Sequence, residues 1–239
     1  MRKLSALVAK ELRTYFNSPV AYIVITSYLI FTSVWFFHIQ RFAAADTASM
    51  RAYFGVVPVL FIVLLPALTM RLWAEEHKMG TAEILVTLPY RDVELVLGKF
   101  VSAFAILCVM IALSIPVPVT IAPLGAFDGG QILSEYLGIL LLGSAGISIG
   151  LFVSSVSRNQ ISAFLSGAAV LLAFTLIGQA AIVLELSGAA SGFVHSISFQ
   201  QHFESFVKGV LDTRDILYFL VLTVFFLYLN TKTLALRKW

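Results

Sequence analysis

The chain is short of charge: Asp, Glu, Lys and Arg make up 12% of its 239 residues, while 59% are apolar. A soluble domain carries about 25% charged residues. A chain of this composition cannot present a polar surface to water, so lipid is its solvent. It holds a single cysteine, Cys108, inside an apolar run. That excludes a disulfide within the chain and any cysteine-based metal site. The four histidines, His38, His77, His195 and His202, are scattered and form no HExxH pair, so no metal centre is expected. The net charge of +3 comes from dispersed basic residues, with no patch suited to nucleic acid. A phosphate loop of the form G-x-x-x-x-G-K-[ST] is missing too. Gly98-Lys99 is the one Gly-Lys pair, but Val93 stands where the upstream glycine is needed, and Phe100 where Ser or Thr is needed. The chain lacks the usual means of holding ATP.

What it has instead is six apolar runs, at about 19–38, 53–73, 100–122, 136–156, 161–184 and 215–234. Each approaches the ~20 residues that cross a hydrocarbon core. None alternates like a barrel strand, so each is expected to be a helix. The expected fold is an all-α integral membrane domain spanning residues 1–239. The run from Pro19 to Phe37 is too long for the apolar region of a signal peptide. It is therefore expected to remain as the first span, although Ala43-Ala44-Ala45 follows it. Before it, over residues 2–16, Leu4, Leu7, Val8, Leu12, Tyr15 and Phe16 recur at helical spacing opposite Lys3, Lys10 and Arg13. That pattern predicts an amphipathic helix lying in the interface.

Lys and Arg set the orientation. With both ends inside, the inner segments hold Arg2, Lys3, Lys10, Arg13, Arg71, Lys78, Arg91, Lys99, Arg158, Lys232, Arg237 and Lys238. The outer segments hold only Arg41, Arg51, Lys208 and Arg214. Two connections exceed a hairpin: an inner one near 74–99, of which 74–92 is the functional loop, and an outer one near 185–214. Loops of that length tend to carry function.

Three features inside the spans have structural readings. Gly146-Ile147-Ser148-Ile149-Gly150 matches the G-x-S-x-G nucleophile elbow in form only, since that motif needs a strand-to-helix turn. Within a span, Gly146 and Gly150 are a small-x-x-x-small pair for close helix packing, and Ser162, Ser166 and Gly167 serve the fifth span likewise. Pro58, Pro66, Pro116 and Pro118 bend their helices, either for gating or for fixed packing.

The inner loop reads Glu75-Glu76, then Gly80-Thr81-Ala82-Glu83, with Leu88-Pro89 closing a short amphipathic segment. Gly80 permits a turn and Thr81 can cap the helix that follows. Such a segment either docks a partner or rests at the interface. The pattern Glu-Glu, Gly-Thr-x-Glu-x-Leu-x-Thr-x-Pro, then Gly98-Lys99 resembles the permeases of the ABC-2 transporter family, and the resemblance runs the length of the chain. It implies a permease subunit of an ABC transporter in a bacterial cytoplasmic (inner) membrane. This loop would be the coupling helix, meeting an ABC ATPase subunit through Glu75, Glu76, Gly80, Thr81, Glu83 and Leu88. ATP and Mg would be bound by that partner, with no cofactor in this chain.

The resemblance further implies a homodimer. His202-Phe203-Glu204-Ser205-Phe206 with Asp212-Thr213-Arg214-Asp215 resembles the branch of gliding-motility and nitrous-oxide-reductase-maturation permeases, with gliding motility favoured. That branch implies an auxiliary membrane-anchored subunit with an extracytoplasmic domain. Phe199, His202 and Phe203 are candidates for contact with it or with membrane lipid. The outer loop is expected to form re-entrant helices. Transport and transmission of motion without transport both fit these motifs.

Overall fold

A computed structural model describes residues 2–40, 49–80, 91–125, 127–183 and 189–236. They are mostly helical, with no strand among the described residues. Among the described residues, six helices are long and apolar enough to cross a membrane: Pro19–Ile39, Val57–Lys78, Asp92–Leu124, Gly129–Val156, Gln160–Gln179 and Thr213–Leu236. These are the first to sixth spans below. A leading helix, Arg2–Phe16, precedes them. Two short helices, Ala189–Ile197 and Phe199–Val207, lie between the fifth and sixth. The chain is thus a multi-pass membrane protein.

Local chemistry explains the helix starts. Ser18 caps the first span by accepting from the Val20 N–H, with Pro19 at the first helical position. At the third span, the Glu94 carboxylate reaches back to accept from the Arg91 N–H at 3.0 Å. Asp128 caps the fourth, accepting from the Gly130 and Gln131 N–H groups at 2.8 and 3.3 Å.

The second span is broken at Met70 into Val57–Thr69 and Arg71–Lys78. Pro66 in its interior has no N–H to give. The break is repaired from the fourth span. The Ser154 hydroxyl donates to the Met70 carbonyl at 3.0 Å and accepts from the Trp73 and Ala74 N–H groups at 3.1 and 3.2 Å. A side chain from a neighbouring helix does what a capping residue would otherwise do. The same support extends the helix to Lys78. The sequence reading placed the loop from 74 onward; instead, Glu75 and Glu76 occupy the last turns of the span. The third span likewise begins at Asp92 rather than at 100. In both cases, charges read as loop are helical because they are paired.

The fourth span is the hub, and its glycines face different neighbours. A Cβ on Gly143 would lie 2.4 Å from Leu107 of the third span. On Gly146 it would lie 2.4 Å from Leu65, and on Gly150 2.1 Å from the Thr69 hydroxyl, both of the second. On Gly138 it would lie 2.7 Å from Phe206 in the second short helix. Ser144 adds a hydroxyl contact to Thr223 of the sixth span at 3.1 Å. In lipid, helices gain no hydrophobic advantage from meeting, so close packing of small residues carries the association. Ser148, between two of these glycines, is fully buried and donates to the Ala145 carbonyl within its own helix.

Replacing Gly150 by Val is expected to cost about 1–3 kcal/mol through overpacking. Gly55, which has nothing within 4 Å of an added Cβ, should tolerate Ala. Thermal unfolding in detergent measures both, and equal effects would refute the hub.

Candidate functional site

The richest polar cluster among the described residues sits where the leading helix meets the second and third spans. The leading helix docks through Leu7, Glu11 and Tyr15, one stripe at four-residue spacing, all buried. It comes close because residue 98 is glycine: a Cβ there would lie 2.4 Å from Leu7. The Tyr15 hydroxyl donates to the Leu68 carbonyl at 2.9 Å. Burial, and then the negative charge of Glu11, raise the Tyr15 pKa, so it stays a donor.

Next to Gly98, the Lys99 side chain is 1% exposed. Its ammonium lies 2.9 Å from Glu76 Oε1 and 3.2 Å from Glu11 Oε1. It also stands 4.7 Å above the Trp73 ring. One cation is thus shared by carboxylates from two other helices. Lys10 lies farther from both, at 3.7 Å from Glu11 and 3.9 Å from Glu76, and is 55% exposed. Arg71 holds Glu75 through two hydrogen bonds of 2.8 and 3.2 Å and also donates to the Ser18 hydroxyl. Above the cluster lies a cavity of about 290 Å³, walled by Tyr15, Leu72 and Met79 besides these charges.

Of the residues expected at the ATPase contact, Glu75 and Glu76 line this cavity. Gly80 ends the second span at a positive φ of 69°, a conformation glycine adopts without strain. Thr81, Glu83 and Leu88 lie outside the described residues. Sequence reasoning missed Glu11 and Lys99 as a pair. The signal was present: Glu11 is the one acid on the leading helix, and it falls on the stripe of Leu7 and Tyr15 rather than among the basic residues. Lys99 likewise interrupts an apolar run directly after a glycine.

At the opposite end of the bundle, Phe199 and Phe203 are each 2% exposed. The expectation that they face a partner or lipid is corrected: Phe203 lies over the bare backbone of Gly138, and Phe199 packs on Phe174 and Phe219. His202 stacks on Tyr218 at 3.8 Å. Its Nδ1 lies 2.6 Å from Asp215, and its Nε2 donates to the Ser196 carbonyl at 3.1 Å. The ring thereby ties both short helices to the sixth span. On the fifth span, a Cβ added at Gly167 would lie 3.4 Å from Pro66, whereas Ser162 and Ser166 are exposed. Gly146 and Gly150 pack within the chain.

These features define a polytopic protein whose ionic node lies at one membrane edge. The chain belongs to the ABC-2 family of transporter proteins, whose sequence profile matches residues 31–236. No individually curated protein matches it. Membership makes it the membrane subunit of an ABC transporter, with an ABC ATPase as partner. The match includes Glu76 and Lys99 but begins after the leading helix and Glu11.

Two substitutions test the two ends. Lys99→Met should destabilise the protein by about 3–5 kcal/mol, because it leaves two buried carboxylates without their shared cation. Denaturant unfolding at neutral pH reads this; an unchanged midpoint would show that the node bears no load. His202→Phe keeps a ring on Tyr218 but strands the Asp215 carboxylate. It should cost about 1–3 kcal/mol and speed amide exchange in Phe199–Val207. Unchanged exchange there would contradict the tie.

Proposed function

We propose that this chain is the permease that couples ATP hydrolysis by its partner to export, or to conformational work across the membrane, with both termini on the ATPase side. The observation that carries this reading is the Lys99 node. It joins the leading helix, the end of the second span and the start of the third. Those last two flank the segment 79–91. A push on that segment by an ATPase reaches three helices together, not one loop. We place the ATPase contact on 74–92, including Thr81, Glu83 and Leu88.

The exposed stripe of the fifth span, with Ile161, Ser162, Leu165 and Ser166, supports a homodimer seam built from small and apolar residues. The auxiliary extracytoplasmic subunit and the gliding-motility branch rest on the outer segment's resemblance alone. Several residues of that segment, His202, Phe203 and Asp215, have packing work of their own.

The test is co-purification in mild detergent of the permease with the ATPase subunit it is expressed with. The wild-type chain should carry an ATP-hydrolysing partner. Glu83→Lys should lose that partner while still inserting as a folded membrane protein. A Glu83→Lys complex of full activity would place the contact elsewhere.

A further inference from the structure

One ionisable group in the bundle interior has no part in the coupling end. Glu135 lies in the fourth span, at the end away from the Lys99 node, and is 0% exposed. Its Oε1 accepts from the Gln131 amide nitrogen at 3.0 Å, and its Oε2 has no partner. Ionisable side chains inside membrane domains are costly, and they mark proton relays or substrate paths.

A single element covers the face that Glu135 occupies. Gln131, Glu135 and Gly138 share one side of the fourth span by helical spacing. The second short helix lies across both flanking positions. Phe206 and Phe203 stand 2.7 and 3.1 Å from where a Gly138 Cβ would be. The Gln131 amide nitrogen that donates to Glu135 also donates to the Val207 carbonyl at 2.9 Å. Gly209, at a positive φ of 79°, turns the chain so closely over Gln131 that a Cβ there would lie 3.3 Å from the Gln131 Cβ. The short helix and its turn thus form a lid over Glu135.

Under that lid an ionised carboxylate would be a buried charge with one hydrogen bond and no counter-ion, the costliest arrangement burial can impose. A neutral carboxylic acid leaves only a hydroxyl unsatisfied, a smaller penalty. The neighbouring charges do not reverse this. Arg51, exposed on the helix Arg51–Gly55, acts on Glu135 across space but forms no ion pair with it. On the lid, Glu204 and Lys208 pair with each other at 2.9 Å, and His202 is taken up by Asp215 of the sixth span. Tyr218 of that span donates to the Ile197 carbonyl, and Arg214 is exposed. Tyr53 meets Thr32 of the first span, Tyr136 meets Ser114 of the third, and Tyr28 is buried. Asp128 caps its own span. Among the described residues, the second, third and fifth spans bring no charged side chain to this end.

We propose that Glu135 is a proton-binding site governed by this lid. The docked lid keeps the carboxyl protonated. When the lid lifts, the O–H bond gives its proton to water on that side, and Arg51 is placed to pair with the carboxylate left behind. The docked form holds one proton more than the lifted form, so raising the pH favours lifting, by at most about tenfold per pH unit. The site does not depend on where the ATPase binds.

The test uses the whole permease in lipid nanodiscs. Glu135→Gln fixes the neutral form. At neutral pH, the infrared difference spectrum of wild type minus this variant should contain the carbonyl stretch of a neutral carboxylic acid; a carboxylate band in its place overturns the proposal. Amide exchange in Phe199–Val207 reports lifting. The ratio of wild-type to Glu135→Gln exchange cancels the intrinsic pH dependence and any titration of His202. It should rise at least tenfold from about pH 5 to about pH 7. A ratio that stays flat, or a variant lid that opens more than wild type throughout, overturns the proposal. Should the variant fail to fold, Arg51→Gln decides, since it changes an exposed residue and weakens the lifted form. Lid exchange near pH 7 should then slow roughly 2- to 5-fold, and unchanged exchange is the overturning result.

Discussion

A lysine buried at a membrane edge organises this molecule. Lys99 cannot stand in that position as a lone charge, because desolvating an ammonium costs several kcal/mol. It is tolerable only with Glu76 at 2.9 Å, Glu11 at 3.2 Å and the Trp73 face beneath it. Each requirement fixes another element. Glu11 can arrive only if the leading helix lies against the third span, which needs glycine at 98. Glu76 can arrive only if the second span continues as helix past its break at Met70, and that continuation depends on Ser154 of the fourth span. Four separate elements are thereby committed by one side chain.

The remainder of the bundle is held by weaker means repeated often. The fourth span offers bare backbone to the third span, the second span and the second short helix in turn. Dispersion contacts at such distances are small singly and large together. A hub of this kind transmits displacement well, since a close-packed interface shifts between discrete arrangements and does not compress. The ionic node at one end and the His202 tie at the other connect to the same hub. The node reaches it through Ser154, and the tie through Phe203, Phe206 and Gly138.

How much of this the sequence disclosed depends on the physical signal involved. Long apolar runs report burial in lipid directly, so all six spans were legible, to within a few residues where nothing charged intervened. The boundaries failed where charge was neutralised by a partner distant in sequence: Glu76 and Lys99 read as loop because each was weighed alone. Phe199 and Phe203 read as exposed for a similar reason. An aromatic between spans suits lipid, a partner or a core equally, and only the assembled neighbours show which applies: Gly138 for Phe203, and Phe174 and Phe219 for Phe199. Gly98 was noticed as part of a motif, but its purpose, admitting Leu7, is visible only with both helices in place. The positive φ at Gly80 could be inferred locally, because a turn after a charged helix end calls for glycine whatever surrounds it.

The node also decides how the leading helix is held. The matched region begins at residue 31, yet the node is incomplete without Glu11, which lies before it. The second and third spans supply one cation and one carboxylate, a pair balanced in charge. The leading helix adds Glu11 and Lys10, again one charge of each sign, with Lys10 at 3.7 and 3.9 Å from the two carboxylates. The leading helix, amphipathic as its sequence predicts, is thus also fastened to the bundle: Leu7 lies over Gly98, the Tyr15 hydroxyl donates to the Leu68 carbonyl, and Glu11 meets Lys99.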